Sequence, residues 1–101
     1  MDIEPEIKVI DNPERSRYEA SLDGRIAAYS TYESEPGRVV ITHTVVRPKL
    51  EGRGVGSRLA KFAVDDIRDR GLRIKPVCTF TRKWLRGHPE YEAIVDYPSE
   101  D

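Results

Sequence analysis

The feature that most limits the fold is an abrupt change of hydrophobic period near residue 55. Residues 39–47, VVITHTVVR, hold seven β-branched residues around His43, which is typical of a β-strand. Glycines at 52, 54 and 56 follow, and the apolar residues then recur with the spacing of one helix face. These residues are Val55, Leu59, Phe62, Ala63 and Ile67. The sequence therefore predicts a strand, a glycine-rich turn and an amphipathic helix in direct succession.

The segment before this unit predicts an antiparallel meander. Residues 6–10 resemble a strand that ends at the turn sequence 11–14, and residues 17–32 have the pattern of a hairpin. The Asp23–Gly24 pair supplies the positive φ angles that a two-residue hairpin turn needs. A second turn at 34–38 leads into the strand at 39–46. That strand is apolar on both faces, which predicts a central position with cover on each side.

The segment after the glycines predicts a βαβ unit. Gly71 is expected to end the long helix as a left-handed cap, and residues 72–78 read as a strand parallel to 39–46. Residues 79–87 predict a second short helix, stopped by Gly87 and Pro89. The fold class is therefore α/β with α+β order: a meander leading into a βαβ unit, with helices flanking a mixed sheet.

Composition narrows the possible partners. A chain of 101 residues is expected to form one domain, residues 1–101, with residues 96–101 as a flexible tail. Seventeen basic and 18 acidic side chains give a net charge of −1, so bulk charge offers no argument for a nucleic-acid partner. No apolar run approaches the roughly 18 residues that span a bilayer, so no membrane partner is expected. Nothing indicates the oligomeric state.

The cysteine and histidine content indicates the expected cellular compartment and predicts that the chain has no metal site. Cys78 is the only cysteine and cannot form an internal disulfide, which fits a reducing environment. The acidic start, MDIEPEIKVI, lacks the order of a signal peptide. We therefore expect a soluble cytoplasmic protein. Two histidines and one cysteine without ligand spacing predict no metal site.

The glycine turn predicts an anion site, because the first N–H groups of a helix are unpaired and glycines let an anion approach the backbone. Two well-known phosphate motifs do not fit. A P-loop needs a Gly-Lys pair, which the chain lacks, and a dinucleotide fingerprint needs GxGxxG, whereas Ser57 follows Gly56. A tight turn with an ordinary helix start remains the structural alternative.

The turn resembles the [Q/R]xxGx[G/A] motif of the GNAT superfamily of acetyl-CoA-dependent N-acyltransferases, here Glu51-Gly52-Arg53-Gly54-Val55-Gly56. The order of segments over residues 17–95 is similar to that of very short, single-domain members, most closely over 42–59 and 74–91. The resemblance implies a GNAT-like mixed sheet, acetyl-CoA as cofactor and an amine as acceptor, either a small molecule or a protein lysine or N-terminus.

The resemblance also implies residues that contact coenzyme A. Main-chain groups late in the strand would hold the acetyl and pantetheine parts, and the glycine turn would hold the pyrophosphate. Lys83 and Arg86 are candidates for the 3′-phosphate, and Arg58 fits a solvated helix face equally well. Glu51 departs from the usual Gln or Arg, and an acid there opposes an anion unless its side chain points away. The implied set is Thr44, Val45, Val46, Gly52, Arg53, Gly54, Val55, Gly56, Ser57, Arg58, Lys83 and Arg86.

His43 and Cys78 are the candidate catalytic residues. A neutral imidazole suits a base near neutral pH, although a histidine within a strand is more commonly a core residue. In the resembling subgroup a cysteine at position 78 lies near the acetyl group. It either accepts the acetyl group covalently or lines the pocket, and a lone cysteine is usually a small buried hydrophobe. A helix start after Cys78 would lower the thiol pKa.

Other polar and aromatic residues carry weaker predictions. Phe80 and Trp84, four apart, are expected in the core, and His88 is expected to cap the short helix. Tyr91 is of the right chemical type to protonate a leaving thiolate. The meander leaves no space for the extra helices that shape the acceptor pocket in longer enzymes, so an open or shallow acceptor site is expected. A non-catalytic coenzyme A or acyl-CoA binding module is the alternative function.

Overall fold

The computed structural model describes residues 7–99. These residues form five strands, two α-helices and three short 3-10 helices. The strands are β1 (Ile7–Asn12), β2 (Arg17–Leu22), β3 (Arg25–Glu35), β4 (Arg38–Val46) and β5 (Arg73–Pro76). The helices are α1 (Val55–Asp69) and α2 (Thr79–Arg86). The 3-10 helices are Pro13–Arg15, Pro48–Leu50 and Pro89–Ile94.

The strands form one mixed sheet in the order β1-β2-β3-β4-β5, and β1 to β4 are the predicted antiparallel meander. Asp23 and Gly24 form the two-residue turn between β2 and β3, with φ angles of 51° and 82°. The first strand runs further than expected, because Asp11 and Asn12 still pair with β2 before the 3-10 turn begins. Residue 6, the expected start of that strand, lies outside the described residues.

The predicted βαβ crossover is confirmed, since β4 and β5 pair in parallel and α1 connects them. Gly71 follows the helix with φ 72°, as expected for a left-handed cap. One face of α1 packs on the sheet and forms the core with Tyr18, Ala20, Ala28 and Ile41. Phe62 deviates from the predicted stripe because it lies at the edge of that face and is 39% exposed.

The predicted cover on both faces of β4 is wrong for its second half. Val39, Val40 and Ile41 are all buried, but His43 and Val45 are exposed. Tyr32 pairs with Ile41 and Thr31 with His43, so β4 has one extra residue, Thr42, at this point. Both α-helices pack against the other side of β4, and the open face of the sheet remains without a helix among the described residues.

Asp96 and Tyr97 contact β5 and α2. The Asp96 amide donates to the Ile74 carbonyl at 2.8 Å, and the Asp96 carboxylate accepts from the Arg73 guanidinium at 2.7 Å. The Arg86 guanidinium lies 4.9 Å from the centre of the Tyr97 ring. Asp96 and Tyr97, the first two residues of the expected tail, thus have defined contacts with β5 and α2. Within residues 7–99, no helix has the length and apolarity needed to cross a membrane.

Candidate active site

The candidate site lies where β4 and β5 diverge. Their last paired residues are Ile41 and Pro76, and the amides of Val77 and Cys78 both donate to the Ile41 carbonyl at 3.0 and 2.9 Å. β4 continues for five residues beyond this point without β5 beside it. A cleft of about 510 Å³ occupies this region, which we call the β4 cleft. Its lining comprises Thr44, Val46, Leu50, Glu51, Gly52, Gly54, Val55, Gly56, Ser57 and Phe80.

Two amides of β4 point toward the edge that β5 has left. The Arg47 amide donates to the Ala27 carbonyl of β3 at 2.9 Å. Because peptide groups alternate in direction along a strand, the N–H groups of Val46 and Thr44 point away from β3. The N–H of Val45 points toward β3 instead. Of the three β4 amides predicted to contact the acetyl and pantetheine groups, two therefore face the cleft.

The N-terminus of α1 forms the other end of the β4 cleft. Gly54 is the N-cap residue and supplies no side-chain cap. The first intrahelical bond runs from the Arg58 amide to the Gly54 carbonyl at 3.0 Å. The N–H groups of Val55, Gly56 and Ser57 precede that bond and have no partner within the helix. Unpaired amides at the positive end of the helix dipole suit a bound anion.

The glycines of the turn have different local requirements. Gly52 and Gly54 have φ angles of 82° and 79°, a conformation that side chains disfavour. Gly56 has an ordinary φ, but a Cβ added there would lie 2.7 Å from the Cζ atom of Phe80. Phe80, which was expected in the core, is instead 41% exposed and packs over Gly56 in the β4 cleft. The backbone conformation at Gly52 and Gly54, and the Phe80 ring beside Gly56, are thus each sufficient to explain why the position is a glycine.

A second cleft, of about 650 Å³, lies on the other side of the turn, and we call it the β1 cleft. Its lining comprises Ile7, Leu22, Arg53, Gly54, Val55, Ser57 and Arg58. Arg53 and Arg58 are exposed and stand on the β1 side of the turn, whereas Glu51 lines the β4 cleft. The two predicted cations therefore lie next to the helix N-terminus but outside the cleft that reaches Thr44.

Cys78 is tied to the site through Thr44. As a thiol its Sγ atom donates to the Thr44 Oγ1 at 3.3 Å, and as a thiolate it would accept from the same hydroxyl. Thr44 Oγ1 lies 2.7 Å from the Ser30 Oγ atom. Cys78 is also the N-cap residue of α2, so the predicted helix start after it is confirmed at Thr79. Burial alone raises the pKa of the Cys78 thiol, but hydrogen bonds from Thr44 and from the first turn of α2 outweigh it and lower the pKa. Cys78 is 7% exposed and contacts the cleft lining instead of joining it.

His43 lies on the other face of the sheet. Ser30 pairs with Thr44 and Thr31 with His43, and neighbouring residues in a strand point to opposite faces. The Thr44 side chain faces Cys78 and α2, so His43 faces the open side together with Val45. The structure thus separates the two predicted catalytic residues by the thickness of the sheet.

Three further candidates lie away from the β4 cleft. Arg86 lines a separate cleft of about 300 Å³ with Tyr97, and Lys83 is exposed on α2 and lines neither cleft beside the turn. The Tyr91 hydroxyl donates to Asp65 at 2.6 Å. That hydrogen bond, followed by burial, raises the Tyr91 pKa. His88 fulfils the predicted capping role, because its Nδ1 lies 2.7 Å from the Trp84 carbonyl oxygen.

Sequence reasoning missed the side chains that surround the predicted backbone site. Phe80 and Leu50 line the β4 cleft, and Ser30 contacts Thr44 from β3. Ser30 is 3% exposed, and only the pairing register brings it beside a residue 14 positions away. The sequence around a buried serine in a hairpin does not indicate which residue it will contact. Leu50 and Phe80 could have been noticed, because Leu50 directly precedes the glycine turn and Phe80 follows Cys78 by two residues.

The comparison with protein families identifies the chain. Residues 17–94 match the family model described as GCN5-related N-acetyl-transferase. The chain belongs to this family. The match includes the meander from β2 onward, the glycine turn, α1, β5 and α2. The family resemblance predicted from the glycine turn is thus confirmed over most of the chain.

Relatives and solved structures agree with the family. The chain is 31% identical to Protein NATD1 of Bos taurus over 85 residues, covering 82% of this chain and 75% of that protein. It is 29% identical to Protein NATD1 of Xenopus tropicalis over 91 residues, covering 88% and 84%. The NMR structure of a GCN5-like candidate N-acetyltransferase from Staphylococcus aureus matches with a TM-score of 0.70 and 23% identity, covering 92% of this chain and 91% of that one.

A second solved structure shares part of the fold. The crystal structure of the ribosomal-protein-S18-alanine N-acetyltransferase from Escherichia coli matches with a TM-score of 0.57 and 20% identity. The match covers 63% of this chain and 43% of that one. Both structural similarities concern the fold, and both support the predicted mixed sheet with flanking helices.

Proposed function

We propose that the protein is an acetyl-CoA-dependent N-acetyltransferase. The observation that carries this proposal is the β4 cleft, which extends from the diverging β4 edge at Thr44 to the uncapped N-terminus of α1. Family membership supports the same reaction class. Bound acetyl-CoA would supply an activated acetyl thioester. The residues of the chain would bind this cofactor, orient its thioester and deprotonate the acceptor amine.

The glycine turn and the Thr44 and Val46 amides of β4 would bind different parts of acetyl-CoA. The N–H groups of Val55, Gly56 and Ser57 would donate to the pyrophosphate, helped by the dipole of α1. One of the N–H groups of Thr44 and Val46 would donate to the thioester oxygen, where negative charge develops when an amine attacks. The other would donate to the pantetheine arm, because N–H groups two residues apart in a strand are about 6.6 Å apart and cannot share one oxygen. Preorganised amides suit this role because they need no reorientation as the charge forms.

The acceptor amine is proposed to arrive from the open face of the sheet. The helices α1 and α2 cover the other face, whereas His43 and Val45 are exposed on this one. His43 would accept the proton that the attacking ammonium must lose. Within residues 7–99 no helix covers this face, which suits a lysine or N-terminus on a protein, and a small amine would find little enclosure there.

A non-catalytic coenzyme A or acyl-CoA binding module is the second candidate. The separation of His43 from Cys78 across the sheet favours it, because binding needs neither residue. In that case acetyl-CoA stabilises the fold, and amines are not acetylated.

The test combines calorimetric titration with acetyl-CoA and intact-protein mass spectrometry after incubation with acetyl-CoA, amines and peptides. Binding with acetylated products supports the transferase, and binding without any product supports the binding module. A Cys78→Ala variant that turns over like the wild type rejects a covalent acetyl-cysteine. Absence of binding at millimolar acetyl-CoA rejects both functions.

A further inference from the structure

The indole of Trp84 contacts the glycine turn from α2. Its Nε1–H donates to the Ser57 Oγ atom at 3.1 Å, which links α2 to the first turn of α1 across 27 residues of sequence. Ser57 lines both the β4 cleft and the β1 cleft. A donor from a distant helix thus reaches the one hydroxyl that stands between the two clefts.

The position of the indole is fixed by its neighbours. The His88 ring stacks on it with centroids 3.8 Å apart and planes 14° apart, and the Tyr91 ring lies 5.7 Å away. The His88 Nδ1 atom also contacts the Trp84 carbonyl oxygen at 2.7 Å. The ring is therefore held from the end of α2 and from the 3-10 helix Pro89–Ile94, independently of the turn.

The polarity of this hydrogen bond has a consequence for Ser57. An indole N–H can only donate, so the Ser57 oxygen must accept. The hydroxyl proton is then directed away from Trp84, and a hydroxyl that already accepts a hydrogen bond is polarised into a better donor. Ser57 sits beside three backbone N–H groups that have no partner within the helix, so its proton adds a fourth donor there.

We propose that Trp84 is a positioning residue for phosphate recognition: it holds Ser57 so that the Ser57 hydroxyl donates to a phosphate at the N-terminus of α1. This inference rests on the proposed function, because the phosphate is that of coenzyme A. Trp84 itself contacts Ser57 and not the phosphate. Its role is therefore to favour ligands that carry the pyrophosphate over those that carry only the pantetheine arm.

The test is a double-mutant cycle read with two ligands. Calorimetry measures the Kd of coenzyme A and of pantetheine, which lacks the phosphates, for the wild type, Trp84→Phe, Ser57→Ala and the double variant. We expect Trp84→Phe to weaken coenzyme A about 3–10-fold, the usual effect of one hydrogen bond, and to leave pantetheine unchanged. The double variant should bind coenzyme A as Ser57→Ala does, since Trp84 acts through Ser57.

A control on the same helix separates the indole from a general effect of changing α2. Thr79→Ala alters an exposed residue of α2 that lines neither cleft and leaves the indole and its neighbours in place, so it should bind coenzyme A like the wild type. The inference is overturned when Trp84→Phe binds coenzyme A normally, weakens both ligands equally, or retains its effect in the Ser57→Ala background. A wild type that binds neither ligand rejects the proposed function itself, which is a different result.

A second measurement covers the case in which Trp84→Phe does not fold. Trp84 is the only tryptophan in the chain, so all tryptophan fluorescence comes from the indole that makes this contact. Coenzyme A should shift the emission of the wild type, and the shift should be absent in Ser57→Ala saturated with coenzyme A. An equal shift in both proteins would overturn the inference.

Discussion

His43 and Thr44 are consecutive residues of β4, yet their side chains lie on opposite faces of the sheet. Thr44 contacts Cys78 on the side that α1 and α2 cover, and His43 is exposed on the uncovered side. The strand itself therefore divides the candidate site. A cofactor bound between the helices and an acceptor bound on the open face would meet only where β5 has left the β4 edge.

His43→Gln should lower kcat by about 10²-fold, the low end for losing a general base, because an amide cannot accept the proton. The Kd of acetyl-CoA should remain unchanged, since His43 lies outside the β4 cleft. Steady-state kinetics and calorimetry check both values. Val45→Ala, on the same face, is the control and should retain kcat. An unchanged kcat in His43→Gln would remove His43 from the reaction.

Thr44→Val should raise the pKa of Cys78. Burial raises this pKa, and the hydrogen bond with Thr44 is among the contacts that bring it below the ordinary value. Without the hydroxyl the thiolate loses that stabilisation, so less thiolate should form near neutral pH. Ultraviolet absorbance of the thiolate against pH measures the shift. Thr42→Val, whose hydroxyl bonds Thr31 on the other face, should leave the pKa unchanged.

Gly56→Ala should weaken coenzyme A binding about tenfold or more and cost about 1 kcal/mol of folding free energy, a modest overpacking penalty. The new Cβ would lie 2.7 Å from the Phe80 ring. The ring is partly exposed and can move, but the space available to it is the β4 cleft. Phe80→Ala in the same chain should restore binding. Chemical denaturation and calorimetry provide the readouts, and a double variant that still fails to bind would contradict this account.

Glu51→Gln should strengthen coenzyme A binding about 2–5-fold at low salt. The Glu51 carboxylate lines the β4 cleft near amides that would hold an anion, and its repulsion is screened as ionic strength rises. The Kd values of the wild type and Glu51→Gln for coenzyme A should therefore become equal as the salt concentration rises. Glu33→Gln, in β3 opposite Val40 and away from the β4 cleft, is the control and should show no gain.

Tyr91→Phe should destabilise the fold by about 1 kcal/mol near neutral pH, because Asp65 loses a hydrogen bond. Burial raises the pKa of Asp65, but hydrogen bonds from Tyr91 and Lys61 lower it overall. A carboxylate whose pKa is lower in the folded state stabilises the fold at pH values above its unfolded pKa, which is about 3.9. It loses that contribution as the pH falls through the folded pKa. The difference between variant and wild type should thus shrink below about pH 4.

Denaturation at a series of pH values measures this difference. Tyr97→Phe, which removes an exposed hydroxyl, is the control. A destabilisation that stays constant down to pH about 2 would show that the Asp65 carboxylate is not its cause.

Local pattern was sufficient for most of the elements. The Asp23–Gly24 turn, the helix from Val55 and the cap at Gly71 each depend on residues close in sequence, through backbone conformation and hydrophobic spacing. The parallel pairing of β4 and β5 also followed, because a helix that packs on the sheet returns the chain to the end where the first strand began. The glycine motif is also a local pattern, and it was sufficient to predict the family.

The side-chain surroundings of the site could not be obtained from such patterns. Ser30 and Thr44 meet through the register of β3 and β4, and the extra residue at Thr42 decides which face His43 occupies. A single-residue change of register moves every following side chain to the other face, and no local spacing reports it. Trp84 likewise reaches Ser57 only because α2 packs beside α1.

The sequence by itself determined the order of strands and helices, the glycine turn and the family, since these depend on short-range backbone preferences and periodicity. Tertiary structure alone decided that Thr44 and Cys78 share one face, that His43 faces the other, and that Phe80 covers Gly56. Those relations depend on strand register and helix packing, which are set by contacts between residues far apart in the chain.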